Sequence, residues 1–318
     1  MKNDPGTLRY IIILGTTFSG ASAIFEYLDG RGDLYNPLEG KEYELPQLPN
    51  GLMSLEAAAE KAFDPATAEF ALSHFEETAN KLFQSWVTHH NDKNFVNRME
   101  LFKSEIKKFV NEISAVDFPM RLNWRQYKQS PIQYFISKLK RCLNFNETIP
   151  QTRILVTQDE LVQAAQNLHN RMFQVGAEGR PVLLDQAGSG WNPAESTKYF
   201  LHNKVVVVTR NPCDQFLSIK KRKKANSVEG FVNWYIEMQK RLKKINNPNI
   251  IFIKFEDFVM ENEKTVNKLC DYLHLSTSIS SSYEPNLSKD KISKSSNILS
   301  QNEVDYIEKH LSSYIYRK

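Results

Sequence analysis

The chain has 318 residues, 41% hydrophobic and 25% charged, with 41 lysines and arginines against 37 aspartates and glutamates for a net charge of +4. At about 150 residues per domain, this length allows two domains or one domain with a large insertion. The composition excludes a disordered chain, a collagen-like repeat and a polytopic membrane protein, and so small a net charge does not mark a nucleic-acid binder.

Cys142, Cys213 and Cys270 are scattered with no C-x-x-C pair. That leaves a zinc ribbon or redox motif without support and fits a reducing, cytoplasmic setting. Leu8 to Leu14 is a short run rich in isoleucine that ends at Gly15. It reads as a buried strand and is far shorter than the ~20 apolar residues of a membrane span. After the turn Gly15-Thr16-Thr17-Phe18-Ser19-Gly20-Ala21-Ser22, helical spacing resumes through Ala23 to Leu28 and stops at Gly30 and Gly32. From about Leu52 to Met172 the apolar spacing is nearly all helical, punctuated by Pro65, Pro119, Pro131 and Pro150.

Pro181–Leu184 is then a short strand, and Lys204–Thr209 is a continuous apolar strand of the kind found in a parallel sheet covered on both faces. Ile250–Phe255 is a further strand, with helices expected near 212–224, 227–246, 260–273 and 300–313. Strands alternating with helices predict an α/β fold with a parallel sheet flanked by helices. The helical block, drawn as 52–178, reads as an insertion between the second and third strand regions of a single domain.

Two segments have the character of anion sites. Gly15, Gly20 and Ser22 follow the spacing G-x-x-x-x-G-x-S, in which backbone N–H groups and a helix N-terminus cradle an anion. Ala21 stands where the Walker pattern has its lysine, which counts against γ-phosphoryl transfer. In the second segment, Arg210 sits at the carboxyl end of a strand, where open α/β sheets bind ligands. Asn211 is an N-cap and Pro212 a first-turn residue. Positions 211, 214 and 218 then share a helix face, so Ser218 leans back toward the anion that Arg210 holds.

Together these segments resemble the two phosphate loops of the sulfotransferases that use 3′-phosphoadenosine 5′-phosphosulfate (PAPS). That family has a strand–loop–helix of the form x-x-S-G-T-T at the 5′-phosphosulfate and an Arg and Ser eight residues apart, in R-[DN]-P-x-D-x-x-x-S, at the 3′-phosphate. Arg210 and Ser218 have that separation within Arg210-Asn211-Pro212-Cys213-Asp214. Phe252–Phe258 resembles the family's strand ending in "yEdl". Ser288–Lys294, followed by Leu299–Glu303, resembles its basic C-terminal segment.

The resemblance implies a P-loop-like fold with PAPS as cosubstrate, 3′-phosphoadenosine 5′-phosphate (PAP) as product and no metal. It places the nucleotide on Thr16, Thr17, Phe18, Ser19, Gly20, Ala21, Ser22, Arg210, Ser218, Lys289, Lys291 and Lys294. The chain departs from the family at Phe18, where a Lys or Arg is usual. Lys41, Lys289, Lys291 and Lys294 are the candidates to replace that cation.

Sulfuryl transfer needs a group to take the acceptor's proton. Members with a histidine base carry it after the third-strand region, but the comparable Leu184–Trp191 offers only Asp185. Carbohydrate and tyrosyl-protein members use a Glu just after the first helix, where this chain has Glu39, Glu42 and Glu44. Glu42 is ranked first as base, Glu39 second and Asp185 third.

The block from Lys103 to Arg141 carries nine basic residues against three acidic, either a solvated face or a groove for an anionic acceptor. Trp124 and Trp191 are candidates to stack on sugar rings, while His74 and His89-His90 lack metal-ligand spacing. Lys220–Lys224 reads as a cationic helix C-terminus able to draw in a negative nucleotide. The expected activity is transfer of a sulfuryl group to a hydroxyl or amine of a saccharide or small metabolite, with no nucleic-acid partner. A P-loop kinase or NTPase, and a non-catalytic nucleotide-binding protein of the same fold, are the alternatives.

Overall fold

A computed structural model describes residues 8–61, 64–88, 92–120, 122, 129–143, 151–284, 286–295 and 298–316, without the side chains of Arg141 and Asn286. In chain order the elements begin with β1 (Tyr10–Gly15), α1 (Ala21–Asp29), α2 (Leu52–Lys61), α3 (Pro65–Val87), α4 (Lys93–Glu112), β2 (Ser114–Pro119), α5 (Pro131–Cys142) and β3 (Gln151–Leu155). Next come α6 (Gln158–Gln174), β4 (Val182–Asp185), α7 (Pro193–Thr197), β5 (Asn203–Thr209), α8 (Pro212–Lys221) and α9 (Val228–Leu242). The chain closes with β6 (Ile250–Lys254), α10 (Phe255–Met260), α11 (Asn262–Leu273), α12 (Asn286–Lys289) and α13 (Gln301–Leu311).

The chain divides into two compact units, residues 1–47 with 169–318 and residues 48–168. The first holds a four-stranded sheet in the order β4-β1-β5-β6, parallel throughout. Tyr10 of β1 lies between Val182 and Asn203, and Gly15 ends the strand opposite Val208. β1 is buried, with Ile11, Ile13 and Leu14 shielded from solvent as expected for a central strand of a parallel sheet.

On one face Ile11, Ile13, Val206, Val208 and Ile253 pack with α1, α10 and α11 through Ile24, Leu28, Phe258 and Leu269. α8, α9 and α13 form a second core through Phe216, Phe231, Tyr235 and Ile307. This is the expected α/β class, a parallel sheet flanked by helices. The C-terminal ends of β1 and β5 carry the two loops singled out in the sequence.

The second unit contains helices α2 to α5, most of α6 and one antiparallel pair, β2 with β3. Two expectations are corrected here. The block does not interrupt the second and third strand regions; it lies between α1 and β4 in chain order. The block, read as nearly all helical, also holds the strands β2 and β3. β2 escapes the pattern because no residue between Ser114 and Pro119 is fully buried and Val116 is 49% exposed, so no alternation marks it. The helix expected near 260–273 is α11, and a short separate helix, α10, precedes it. Among the described residues, no helix is long and apolar enough to cross a membrane.

Candidate functional site

β1 ends in a loop whose direction is set by two left-handed residues, Phe18 at φ 59° and Gly20 at φ 88°. Gly20 is the N-cap of α1. An added Cβ there would run into the Phe255 ring, so this turn takes glycine for both its backbone and its neighbour. The loop's carbonyls are spoken for. The Gln215 amide donates to the carbonyls of Thr16 and Thr17 at 2.8 Å each, and Arg210 Nη1 donates to the Phe18 carbonyl at 3.0 Å.

The backbone N–H groups of Thr17, Phe18, Ser19 and Gly20 have no partner among the described residues, and the buried Ser19 hydroxyl has none either. With its acceptors tied down and its donors free, the loop is built to receive an anion at the positive end of α1. Gly190 lets a second strand-end loop close on it. An added Cβ at Gly190 would sit 2.5 Å from the Gly15 carbonyl oxygen.

Arg210 follows β5 and sits against the first loop. Its Nη1 also reaches Ser218 Oγ at 3.2 Å, its Nη2 reaches the Lys291 carbonyl at 2.8 Å, and its guanidinium lies 5.1 Å from the Phe255 ring centre. Asn211 caps α8 by accepting from the Cys213 N–H at 2.9 Å, as its residue type predicts. Burial pushes the Arg210 guanidinium down from its ordinary value, opposed by the charges of Asp214 and Glu256.

Those carboxylates are engaged elsewhere. Asp214 accepts from the backbone N–H groups of Ser293 at 2.7 Å and Ser295 at 3.0 Å, and Glu256 accepts from Asn211 N–H at 2.8 Å. Arg210 Nε is buried without a partner. A half-buried cation whose nearby acids are already bonded, and which keeps one donor idle, has charge left to offer an anion.

The candidate bases divide by position. Residues 42–44 run beside β4, with Glu42 paired to Asp185 and the Tyr43 N–H donating to the Asp185 carbonyl at 2.8 Å. Strand-like alternation buries Tyr43 on one side and puts Glu42 and Glu44 on the other. Both line a cavity of about 430 Å³ whose wall is the Gly15–Ser22 loop, with Gln186, Ser189, Trp191 and Lys224. Burial, then the Glu42 charge, pushes the Glu44 carboxyl up.

Asp185 is 6% exposed, and one of its side-chain oxygens has no partner. Burial first, and Glu42 second, raise its carboxyl to about 7. It does not line the cavity, and neither does Glu39, an exposed residue at φ 52°.

The structure thus places Thr16 to Ser22 on one wall of the cavity and Arg210 with Ser218 at the back of the same loop. Lys291 contributes its carbonyl, Lys294 pairs with Asp290 at 2.7 Å, and all three side chains, Lys289 included, are exposed. None of them lines the cavity, and Lys41 does not either. Sequence reading gave no site role to Gln186 or Gln215, named Glu44 without ranking it as a base, placed Asp214 only on a helix face, and took Lys224 only as part of a basic run. Asp214 and Gln215 lie inside the quoted Arg210–Ser218 stretch, and their burial, at 2% and 1%, is the one trait that distinguishes them from surface polar residues.

Trp191 lines the cavity with its ring edge-on to Trp234. Trp124, His89-His90, Arg121, Arg125 and Lys128 lie outside the described residues, as does the side chain of Arg141. In the second unit Lys103 pairs with Glu100 and Lys108 with Glu105, so part of that basic stretch is neutralised within its own helix.

No family model matches the chain, and no curated protein does. Among solved structures it is similar to the sulfotransferase domain of the Synechococcus PCC 7002 olefin synthase, at 12% identity and a TM-score of 0.48, covering 100% of this chain and 99% of that one. It is similar also to the sulfotransferase domain from the curacin biosynthetic pathway, at 12% identity and a TM-score of 0.43, covering 98% of this chain and 100% of that one. A third, sulfotransferase STF9 from Mycobacterium avium, shares 10% identity at a TM-score of 0.39 over 98% of this chain and 76% of that one. At such identities and scores the functional reading rests on the residues themselves.

Proposed function

We propose that the protein is a sulfotransferase that uses PAPS and delivers its sulfuryl group to a hydroxyl or amine of a saccharide or small metabolite. The observation that carries this reading is Arg210. It is a half-buried guanidinium eight residues before Ser218, bonded to that hydroxyl and to the first anion loop, with its buried Nε idle and its neighbouring carboxylates engaged.

The residues present fit a nucleotide with a phosphate at each end. Arg210 and Ser218 would hold the 3′-phosphate. The N–H groups of residues 17–20 and the Ser19 hydroxyl would hold the 5′ end. PAPS, when bound, supplies an activated sulfuryl group and a phosphate leaving group. The chain's own part is to orient the acceptor, take its proton and steady the negative charge.

Glu42 and Glu44 are the carboxylates that face this space, and burial pushes the Glu44 carboxyl up, the direction that makes it a better proton acceptor. Asp185 acts behind them. Its burial and its closeness to Glu42 make a negative charge on Asp185 itself costly. The helical block 52–178 is the proposed acceptor-binding part.

Radiolabelled PAPS incubated with a panel of saccharide, phenol and amine acceptors tests the reading. Transfer to one class is expected, falling by about a hundredfold or more when the true base is changed to glutamine. If Glu42→Gln and Glu44→Gln both retain full turnover, the cavity carboxylates are not the base.

A further inference from the structure

The first loop carries no cation of its own, yet the cavity it lines has one. Among the described residues Lys224 is the single basic side chain on that lining, which also carries Glu42 and Glu44. Its place follows from the chain's path after α8. Lys223 takes a left-handed conformation at φ 55°, and the Lys224 N–H donates back to the Ile219 carbonyl at 3.1 Å. This turn folds the segment toward the loop instead of letting it continue away.

The ammonium then stands 5.4 Å from the centre of the Phe18 ring. A ring face attracts a cation without neutralising it, and Lys224 forms no ion pair among the described residues. Phe18 is itself fixed, its carbonyl held by Arg210. The arrangement is a full positive charge parked on an aromatic support at the lip of a row of free N–H donors.

We propose that Lys224 is the cation that binds the 5′-phosphate and neutralises the charge released there. The proposal rests on the PAPS reading. In the step it serves, the acceptor oxygen or nitrogen forms a bond to sulfur as the bond from sulfur to the bridging phosphate oxygen breaks. The acceptor's proton passes to a cavity carboxylate. The electron pair of the broken bond stays on the phosphate, whose added negative charge Lys224 meets without giving up a proton. On this account Phe18 supports the ammonium, and Lys224 supplies the charge from another element.

The test needs no acceptor. Calorimetry on the full chain compares PAP with adenosine 3′-phosphate, which lacks the 5′-phosphate, for the unaltered protein, Lys224→Met and Lys224→Arg. The unaltered protein should prefer PAP. Lys224→Met should lose about tenfold in PAP affinity while binding adenosine 3′-phosphate as before, and Lys224→Arg should recover most of the preference. Unchanged binding of adenosine 3′-phosphate also shows that the variant is folded. If Lys224→Met keeps the full preference for PAP, the assignment of Lys224 is wrong and the PAPS reading stands. If the unaltered protein binds neither nucleotide, both fall.

Discussion

Asp185 gives the sharpest quantitative test of the site's electrostatics. Its carboxyl is raised from 3.8 to about 7 by burial and by Glu42. The folded protein therefore binds a proton more tightly than the unfolded chain, and the stability this gives is complete below about pH 4 and lost as pH rises through 7. The span is roughly three decades of proton activity. At about 1.4 kcal/mol per decade, ionised Asp185 costs the folded state about 4 kcal/mol at pH 8.

Asp185→Asn cannot ionise and should remove that cost. Urea denaturation at pH values from 4.5 to 8.5 gives the difference in unfolding free energy between variant and parent. That difference should climb with pH up to about 7 and level off above it. Taking the difference matters because His169 works the other way. It is buried between the Tyr199 carbonyl and the Tyr43 hydroxyl, and burial lowers it from 6.5 to about 4. The stability it gives is present above pH 6.5 and lost as pH falls through 4, so it masks Asp185 in the parent curve alone. A difference that is flat with pH, or that shrinks as pH rises, would refute the account of Asp185.

Gly190→Ala places a methyl against the Gly15 carbonyl and should cost about 2 kcal/mol, read as a lowered melting temperature. Gly40→Ala meets no atom within 4 Å and bears only the strain of its φ of 82°, so it should cost about 1 kcal/mol. Equal losses would contradict the packing argument. Asp214→Ala removes the acceptor of the Ser293 and Ser295 N–H groups and should destabilise by about 3 kcal/mol. Amide hydrogen exchange at those two residues should speed up together with a weaker hold on PAP; unchanged protection there would show that Asp214 does not pin the segment. Ser300→Ala should cost about 1 kcal/mol, because it breaks the reciprocal cap between Ser300 and Glu303 at the start of α13; no change in stability on denaturant titration would argue against it.

Much of the sheet could be read from sequence because its strands are buried on both faces. Ile11 to Leu14 and Val205 to Val208 are continuous apolar runs with no competing helical period. The Arg210–Ser218 relation was equally open, since an N-cap and helical spacing fix where position 218 points. Other features depend on contacts that spacing does not encode. β2 is too exposed to alternate. Glu42 and Glu44 share a face only because residues 42–44 run beside β4. Asp214 finds its partners about eighty residues on, at Ser293 and Ser295. Lys224 sits in a run of five basic residues, and only the left-handed turn at Lys223 distinguishes it from its neighbours.

The central claim is that this fold holds a nucleotide bearing a 3′-phosphate, with Arg210 and Ser218 as its ligands. Calorimetry with PAP and with AMP, which lacks the 3′-phosphate, tests it most directly. PAP should bind at least tenfold more tightly than AMP, and Arg210→Ala should erase that preference while leaving AMP binding little changed. Equal affinity for the two nucleotides in the unaltered protein, or a preference for PAP that survives in Arg210→Ala, would contradict the account.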